Sequence, residues 1–421
     1  MRLVVMWVIV VGMAWGSVGV RAEEGRRADF AEFDRRARAG EKLVVVFHGA
    51  SLTWGANATD PLLYSYRAVV ARRLGAKYPA AHFTFRDSAI GGTGSQLGVF
   101  RLDRDVLAYK PDLVFVDFSA NDGINSATPQ TLASYEAIVR RVIVEAKCPV
   151  VQVIFPFMWD VAKGKTDGML RRDAHLAISK AYGTACGDAI VLAQERVKAG
   201  AVAVKQIWPH DGVHPGNLGY ELFADAAWGA LESAVAVQQV CVVPEKMLHA
   251  DTYMSGVRWA VAKEAGQLPA GWRAGTPNLT SAFFDMLMSR WQDVQAVAGT
   301  GEGKEGPRSQ PARLAVKFKG STVMLFGETT MKSGKFRVTI DGQVVPKKDG
   351  QGKVVAHEWD AGEFGRRVGG NAHLVMVLAE GLADGEHSLE IEPVLDLSKA
   401  EEIRLESICV AGKGAGVWVA K

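Results

Sequence analysis

Four short clusters along the chain hold residue types that can share one reaction. His48-Gly49-Ala50-Ser51-Leu52-Thr53-Trp54-Gly55 offers a serine on a turn with glycines to either side. Asp87-Ser88-Ala89-Ile90-Gly91-Gly92-Thr93-Gly94 is a glycine-rich loop, and Ser119-Ala120-Asn121-Asp122-Gly123 contributes a side-chain amide. Trp208-Pro209-His210-Asp211-Gly212-Val213-His214-Pro215-Gly216 adds an acid and two imidazoles. A serine hydroxyl is a weak nucleophile that needs a neighbouring base, itself oriented by a third group. His214 can take the Ser51 proton, while Asp211 can hold the imidazole tautomer and stabilise the imidazolium. Pro215 and the flanking glycines stiffen a turn rather than a helix, so Asp211 and His214 can share one side. Attack on an ester carbonyl creates an oxyanion, for which the N–H of Ser51, the N–H of Gly92 and the amide of Asn121 offer three donors. This chemistry calls for neither metal nor cofactor. His48 and His210 are expected to be structural or to support the reacting residues without touching substrate.

Any one cluster alone reads as a turn or cap; their order and their positions after strands carry the assignment. Leu43–Phe47, His82–Arg86, Leu113–Phe118, Val150–Phe155 and Ala189–Leu192 have strand texture. Tyr64–Leu74, Gln96–Tyr109, Pro129–Ala146, Gly168–Ala185 and Leu218–Val237 have helical patterns. Such alternation predicts a three-layer α/β/α unit around a parallel sheet, with ligands bound beyond the carboxyl ends of the strands. After about residue 245 the pattern changes. A short helix is expected over Phe283–Gln292 and a loop over Gly299–Pro311. Period-two runs follow at Leu314–Phe318, Thr322–Phe326, Lys335–Ile340, Leu374–Leu378, His387–Ile391 and Ile403–Cys409, with turn signals at Asp341-Gly342 and Asp384-Gly385. These predict a mainly antiparallel β-sandwich, jelly-roll-like, over 245–421.

At the N-terminus, Arg2 precedes an uncharged apolar run from Leu3 to Val20, closed by the small residues around Val20-Arg21-Ala22. This predicts a signal peptide over 1–22, in preference to a retained anchor, and an exported protein without a stable membrane anchor. A lead-in over 23–41 and a catalytic unit over 42–240 follow. The chain of 421 residues carries 49 Lys+Arg against 46 Asp+Glu, a formal charge of +3. Such a balance gives no general electrostatic case for nucleic acid. Export permits disulfides; Cys148, Cys186, Cys241 and Cys409 allow three full pairings. A Cys148–Cys186 bridge and four buried thiols both fit the pattern.

The set Ser51, Gly92, Asn121, Asp211 and His214 resembles the SGNH (GDSL-type) hydrolases, and Pro111-Asp112-Leu113-Val114 leading to Asn121-Asp122 resembles their third block. The resemblance spans about residues 42–240. It implies ester hydrolysis through an acyl-serine, with Ser51 as nucleophile, Gly92 and Asn121 as oxyanion donors, and Asp211 and His214 completing the triad. Two positions depart from the pattern: Ala50 stands where that family usually has Asp, and Ser119 where it often has Gly. A helical zinc site on His210 and His214 conflicts with Pro209, Gly212 and Pro215, and no Gly-x-Ser-x-Gly elbow occurs. Export and the appended sandwich resemble secreted members that remove O-acetyl groups from carbohydrate. A lipase or broad short-chain esterase is the alternative, and a non-catalytic carbohydrate-binding protein the more distant one. Trp54, Trp159 and Trp208 flank the clusters as candidate sugar platforms.

Overall fold

The computed structural model describes residues 27–281, 288–299 and 309–419. The expected signal peptide lies outside the described residues, as do 283–287 of the expected helix and 300–308 of the expected loop. Met288–Trp291 is helical.

Five strands form a wholly parallel sheet: β1 (Lys42–Gly49), β2 (His82–Ala89), β3 (Leu113–Val116), β4 (Val150–Ile154) and β5 (Ala185–Asp188), in the order β2-β1-β3-β4-β5. β3 and β4 are buried along their whole length, which their continuous apolar sequence requires. β2 is an edge strand, so His82, Thr84 and Arg86 can face water. Helices Phe30–Arg38, Tyr66–Lys77 and Asn217–Ala236 form one packed group, and Ser95–Phe100, Pro129–Arg141 and Leu170–Tyr182 another. The first begins where Asp29 accepts from the N–H groups of Ala31 and Glu32, a side-chain cap for otherwise unpaired donors. Phe30, Phe33 and Ala37 then join the sheet's core.

One strand lies elsewhere than the sequence pattern suggested. The apolar run Ala189–Leu192 opens a helix, Ala189–Lys198, and the strand is the preceding Ala-Cys-Gly-Asp. Asp188 ends that strand and caps the helix, accepting from Ile190 and Val191. Gly187 has no room for a side chain, since a Cβ there would lie 2.6 Å from the Ala226 carbonyl oxygen. Cys186 thus sits within β5, opposite Gln152. No disulfide joins the four cysteines; burial pushes the thiols of Cys186, Cys241 and Cys409 up to about 12.

Two antiparallel sheets make up the β-sandwich that follows. One runs in the order Ala372–Ala379, Thr322–Thr329, Glu402–Ala411, Gln295–Gly299, Trp272–Gly275, with Gly256–Ala260 also paired to Glu402–Ala411. The other runs Gln343–Val344, Lys335–Ile340, Glu386–Val394, Leu314–Lys319, Gly416–Val419. Val323, Leu325, Val338, Leu389 and Ile408 fill the space between them.

The strand Thr322–Thr329 is buried at every position. Val323 and Leu325 point into the sandwich, whereas Met324 and Phe326 belong to the core of the α/β unit. The Phe100 ring meets Tyr253 at 5.8 Å, and Arg258 lies 5.0 Å from the centre of Phe326. No helix among the described residues is long and apolar enough to cross a membrane. Replacing Phe326 by Ala removes a ring from this shared boundary. It should cost about 3–5 kcal/mol in urea unfolding, and a loss below about 1 kcal/mol would show that the boundary does not depend on that ring.

Candidate active site

Three loops of the site leave neighbouring strands at the same sheet edge. Gly49 pairs with Ala89 and His48 with Val116, so the segments carrying Ser51, Gly92 and Asn121 start side by side, one strand spacing apart, about 4.8 Å. In a sheet of order 2-1-3-4-5 the gap between β1 and β3 is the topological switch point, where a crevice opens.

Ser51 begins a four-residue helical turn, Ser51–Trp54. The first N–H groups of a helix lack intrahelical partners, so the Ser51 N–H is available to an incoming oxyanion. Gly55 closes the turn at φ 102, a left-handed conformation favouring glycine. Gly92 is exposed at φ 73, and Asn121 is also exposed. Among the described residues, neither Gly92 N–H nor the Asn121 amide is engaged in a hydrogen bond.

The fourth segment brings His214 over this edge. Its Nε2 lies 3.1 Å from Ser51 Oγ, and its Nδ1 lies 3.4 Å from Asp211 Oδ2. Those contacts favour the tautomer protonated on Nδ1, leaving Nε2 to accept the serine proton. Asp211 Oδ1 accepts from the backbone N–H groups of Val213 and His214, at 2.7 and 2.6 Å. Burial favours a protonated Asp211, but these bonds, with the Asn57 amide and His214, outweigh it and hold the carboxyl below its ordinary range. Burial likewise lowers His214 below 6.5, against the pull of Asp211. The imidazole is therefore largely neutral, as a base must be, at neutral pH.

Several residues that fasten the site give no local sequence signal. Asn57, at φ 67, donates from Nδ2 to Asp211 Oδ2 at 2.8 Å. Asn217 accepts from Thr59 N–H and donates to Thr59 Oγ1, while Gly212 carbonyl accepts from Met158 N–H. The histidine loop is thus tied to the segments after β1 and β4. Below them, the buried Arg101 donates to Gly49 and Ser88 carbonyls, each at 2.9 Å, clamping the ends of β1 and β2. Asp105 pairs with it at 3.3 Å. Asp122 Oδ1 accepts from Ser95 N–H at 3.0 Å, with Arg171 3.8 Å from its other oxygen. Arg171 also donates to Gly123 carbonyl, bracing the loop that carries Asn121.

His48 is fully buried between Ser88 and the Gly98 carbonyl, and burial keeps its pKa well below 6.5. It is a neutral structural residue. His210 is exposed, residues 208–216 are not helical, and no cluster of three or more metal-ligating side chains occurs among the described residues. Of the three tryptophans, Trp159 is 45% exposed, and its ring lies 3.0 Å from where a Gly212 Cβ would be. Trp54 is half-buried, and Trp208 is 3% exposed and packed toward Phe223. Trp208 is a core residue, not a ligand platform.

An acid–base–hydroxyl relay beside free N–H donors at a parallel-sheet edge defines a serine ester hydrolase. Residues 47–222 match the GDSL-like Lipase/Acylhydrolase family. The fold as a whole is similar to a two-domain esterase (CEX) active on acetylated mannans, at 23% identity and a TM-score of 0.72, covering 91% of this chain and 95% of that one. A crystal structure of that esterase co-crystallized with mannopentaose matches with the same values. Axe2, an acetylxylan esterase from Geobacillus stearothermophilus, matches at 22% identity over 45% of this chain and 94% of that one, with a TM-score of 0.35. No curated protein matches.

The lowered pKa of His214 fixes a sign. Ester hydrolysis should be lost as the imidazole protonates, so the acid limb of kcat/KM should have its midpoint below 6.5. Removing the Asn57 amide frees Asp211 Oδ2 for the imidazole and favours the imidazolium. Asn57→Ala should therefore move that midpoint upward, as a pH–rate profile would reveal; an unmoved midpoint would contradict the role given to Asn57.

Proposed function

We propose that this protein is an exported carbohydrate esterase that removes O-acetyl groups through an acyl-serine intermediate. The observation that carries the reading is the continuous contact from Ser51 Oγ through His214 to Asp211. In this mechanism Ser51 Oγ attacks the acetyl carbonyl as His214 Nε2 takes its proton. The tetrahedral oxyanion is met by the N–H groups of Ser51 and Gly92 and the amide of Asn121. On collapse, His214 returns the proton to the departing sugar oxygen, leaving acetyl-Ser51. A water molecule, deprotonated by the same imidazole, then releases acetate and restores the hydroxyl. The backbone bonds to Asp211 keep it ionised throughout, so it stabilises the imidazolium without accepting the proton.

Two features support a bulky substrate. A cavity of about 610 Å³ starts at Gly91–Thr93 and continues along the sandwich, past Phe364, Arg367, His373 and Val375. That is far more room than an acetyl group needs, and its far wall comes from the second domain. The exposed Trp159 ring flanks the Asp211–His214 turn, as a surface for the apolar face of a sugar. The resemblance in fold to an esterase active on acetylated mannans points the same way, and the apolar N-terminal segment supports export to where polysaccharides lie.

Acetate release from a panel of acetylated polysaccharides tests the proposal. The parent protein should release acetate, and Ser51→Ala should lower kcat by about 10³-fold or more. A preference for long acyl chains over acetyl would overturn the carbohydrate reading in favour of a lipase. Equal rates for parent and Ser51→Ala would overturn the serine mechanism. Trp159→Ala should raise KM severalfold on polysaccharide while leaving an aryl acetate nearly unaffected; equal effects on both would argue against a sugar platform.

A further inference from the structure

Ala50 caps the Ser51–Trp54 turn without a side-chain bond, so whatever fixes the nucleophile's turn must come from elsewhere. Asp117, the first residue beyond β3, is 1% exposed. Its Oδ2 accepts from Thr53 Oγ1 at 3.3 Å, and its Oδ1 from Ser119 Oγ at 3.4 Å. Thr53 rides on the same turn as Ser51, and Ser119 stands two residues before Asn121. The Ser119 oxygen accepts from Phe155 N–H at 2.9 Å, and its proton is shared between Asp117 and the Phe155 carbonyl, 3.3 Å away, fastening this group to the end of β4. Asp117 N–H donates to His48 carbonyl. Gly49 is bare where Thr53 enters: a Cβ there would lie 2.1 Å from Thr53 Oγ1 and 2.7 Å from Asp117 carbonyl.

A fully buried carboxyl is costly unless it is paired. Among the described residues Asp117 has no ion pair. The titratable groups that raise its pKa, or have theirs raised by it, are Asp122 and the phenols of Tyr66, Tyr135 and Tyr220. Burial pushes the carboxyl up to about 7. A leucine could fill such a space without that cost, whereas a forked polar group can hold both hydroxyls at once.

We propose that Asp117 is a positioning residue for the hydrolysis, holding the Ser51 turn against the Asn121 loop through the hydroxyls of Thr53 and Ser119. The proposal rests on Ser51 being the nucleophile. Both departures from the family pattern, at positions 50 and 119, then belong to one arrangement. The acid absent before the serine is supplied from β3, and Ser119 replaces a glycine because its hydroxyl is needed as a bridge.

The test measures kcat and KM on an aryl acetate, with active sites counted from the acyl-enzyme burst. Thr53→Val, Ser119→Ala and Asp117→Leu should each lower kcat per active site by roughly 10-fold, since small misplacements of reacting groups are expensive. KM should stay within about twofold, because none of them lines the crevice. Asp117→Asn keeps one acceptor and gains one donor, and should recover most of the kcat lost in Asp117→Leu. Parental kcat per active site in Thr53→Val and Asp117→Leu would overturn the proposal. So would a loss confined to the number of active sites, which marks a role in folding alone, or an Asp117→Asn no better than Asp117→Leu. Ser51→Ala, run in parallel, separates the two readings: turnover surviving there removes the serine mechanism itself.

Discussion

A hydroxyl and an imidazole 163 residues apart in sequence are held at 3.1 Å, and the rest of the architecture serves that separation. Parallel pairing in register aligns the ends of β1, β2 and β3, so three loops begin from a common line. The alignment is reinforced from within by Arg101, whose guanidinium donates to the Gly49 and Ser88 carbonyls near the ends of β1 and β2. Burying that cation is unfavourable, and burial lowers its pKa to about 10. Asp105 and two carbonyls offset the cost. The histidine segment is then pinned by Asn57, Asn217 and Gly212. A catalytic contact between distant segments is therefore guarded by contacts that are themselves distant.

Burial sets the electrostatics of the site as well as its shape. It lowers His48 and His214 and raises Asp117 and Asp122. Asp211 moves the other way, since backbone N–H groups reach it and half of its side chain remains open to solvent. The one carboxylate that must stay charged is thus the one least removed from water. The buried ones are held by hydroxyls, a backbone N–H or an arginine, and they shape loops.

Much of this was legible in the residues. The apolar runs of β1, β3 and β4 announce strands buried on both faces, and the polar clusters behind them announce the sheet edge. β5 escaped because Ala-Cys-Gly-Asp is too small and polar to look like a strand, while the apolar start of the next helix does. Its identity rests on Gly187 fitting under Ala226, a tertiary fact. The helical pattern Gln96–Tyr109 breaks into three short pieces, Ser95–Phe100, Leu102–Asp105 and Leu107–Tyr109, as Arg101 turns inward to its carbonyls. In the sandwich, the strands at 256–260, 272–275 and 295–299 lie amid irregular chain and carry no sustained alternation. Asn57, Arg101 and Asp117 were invisible for a different reason: each acts on a partner dozens of positions away, and nothing nearby marks it.

The strand Thr322–Thr329 has a bearing on how the molecule holds together as a whole. Its alternate side chains feed two separate interiors, so the α/β interior is incomplete without a strand of the sandwich. The halves are not beads on a string but share a party wall. Cutting the polypeptide between them would leave the catalytic half with a greasy scar where Met324 and Phe326 had been, and a denaturant that loosens one half should loosen its neighbour.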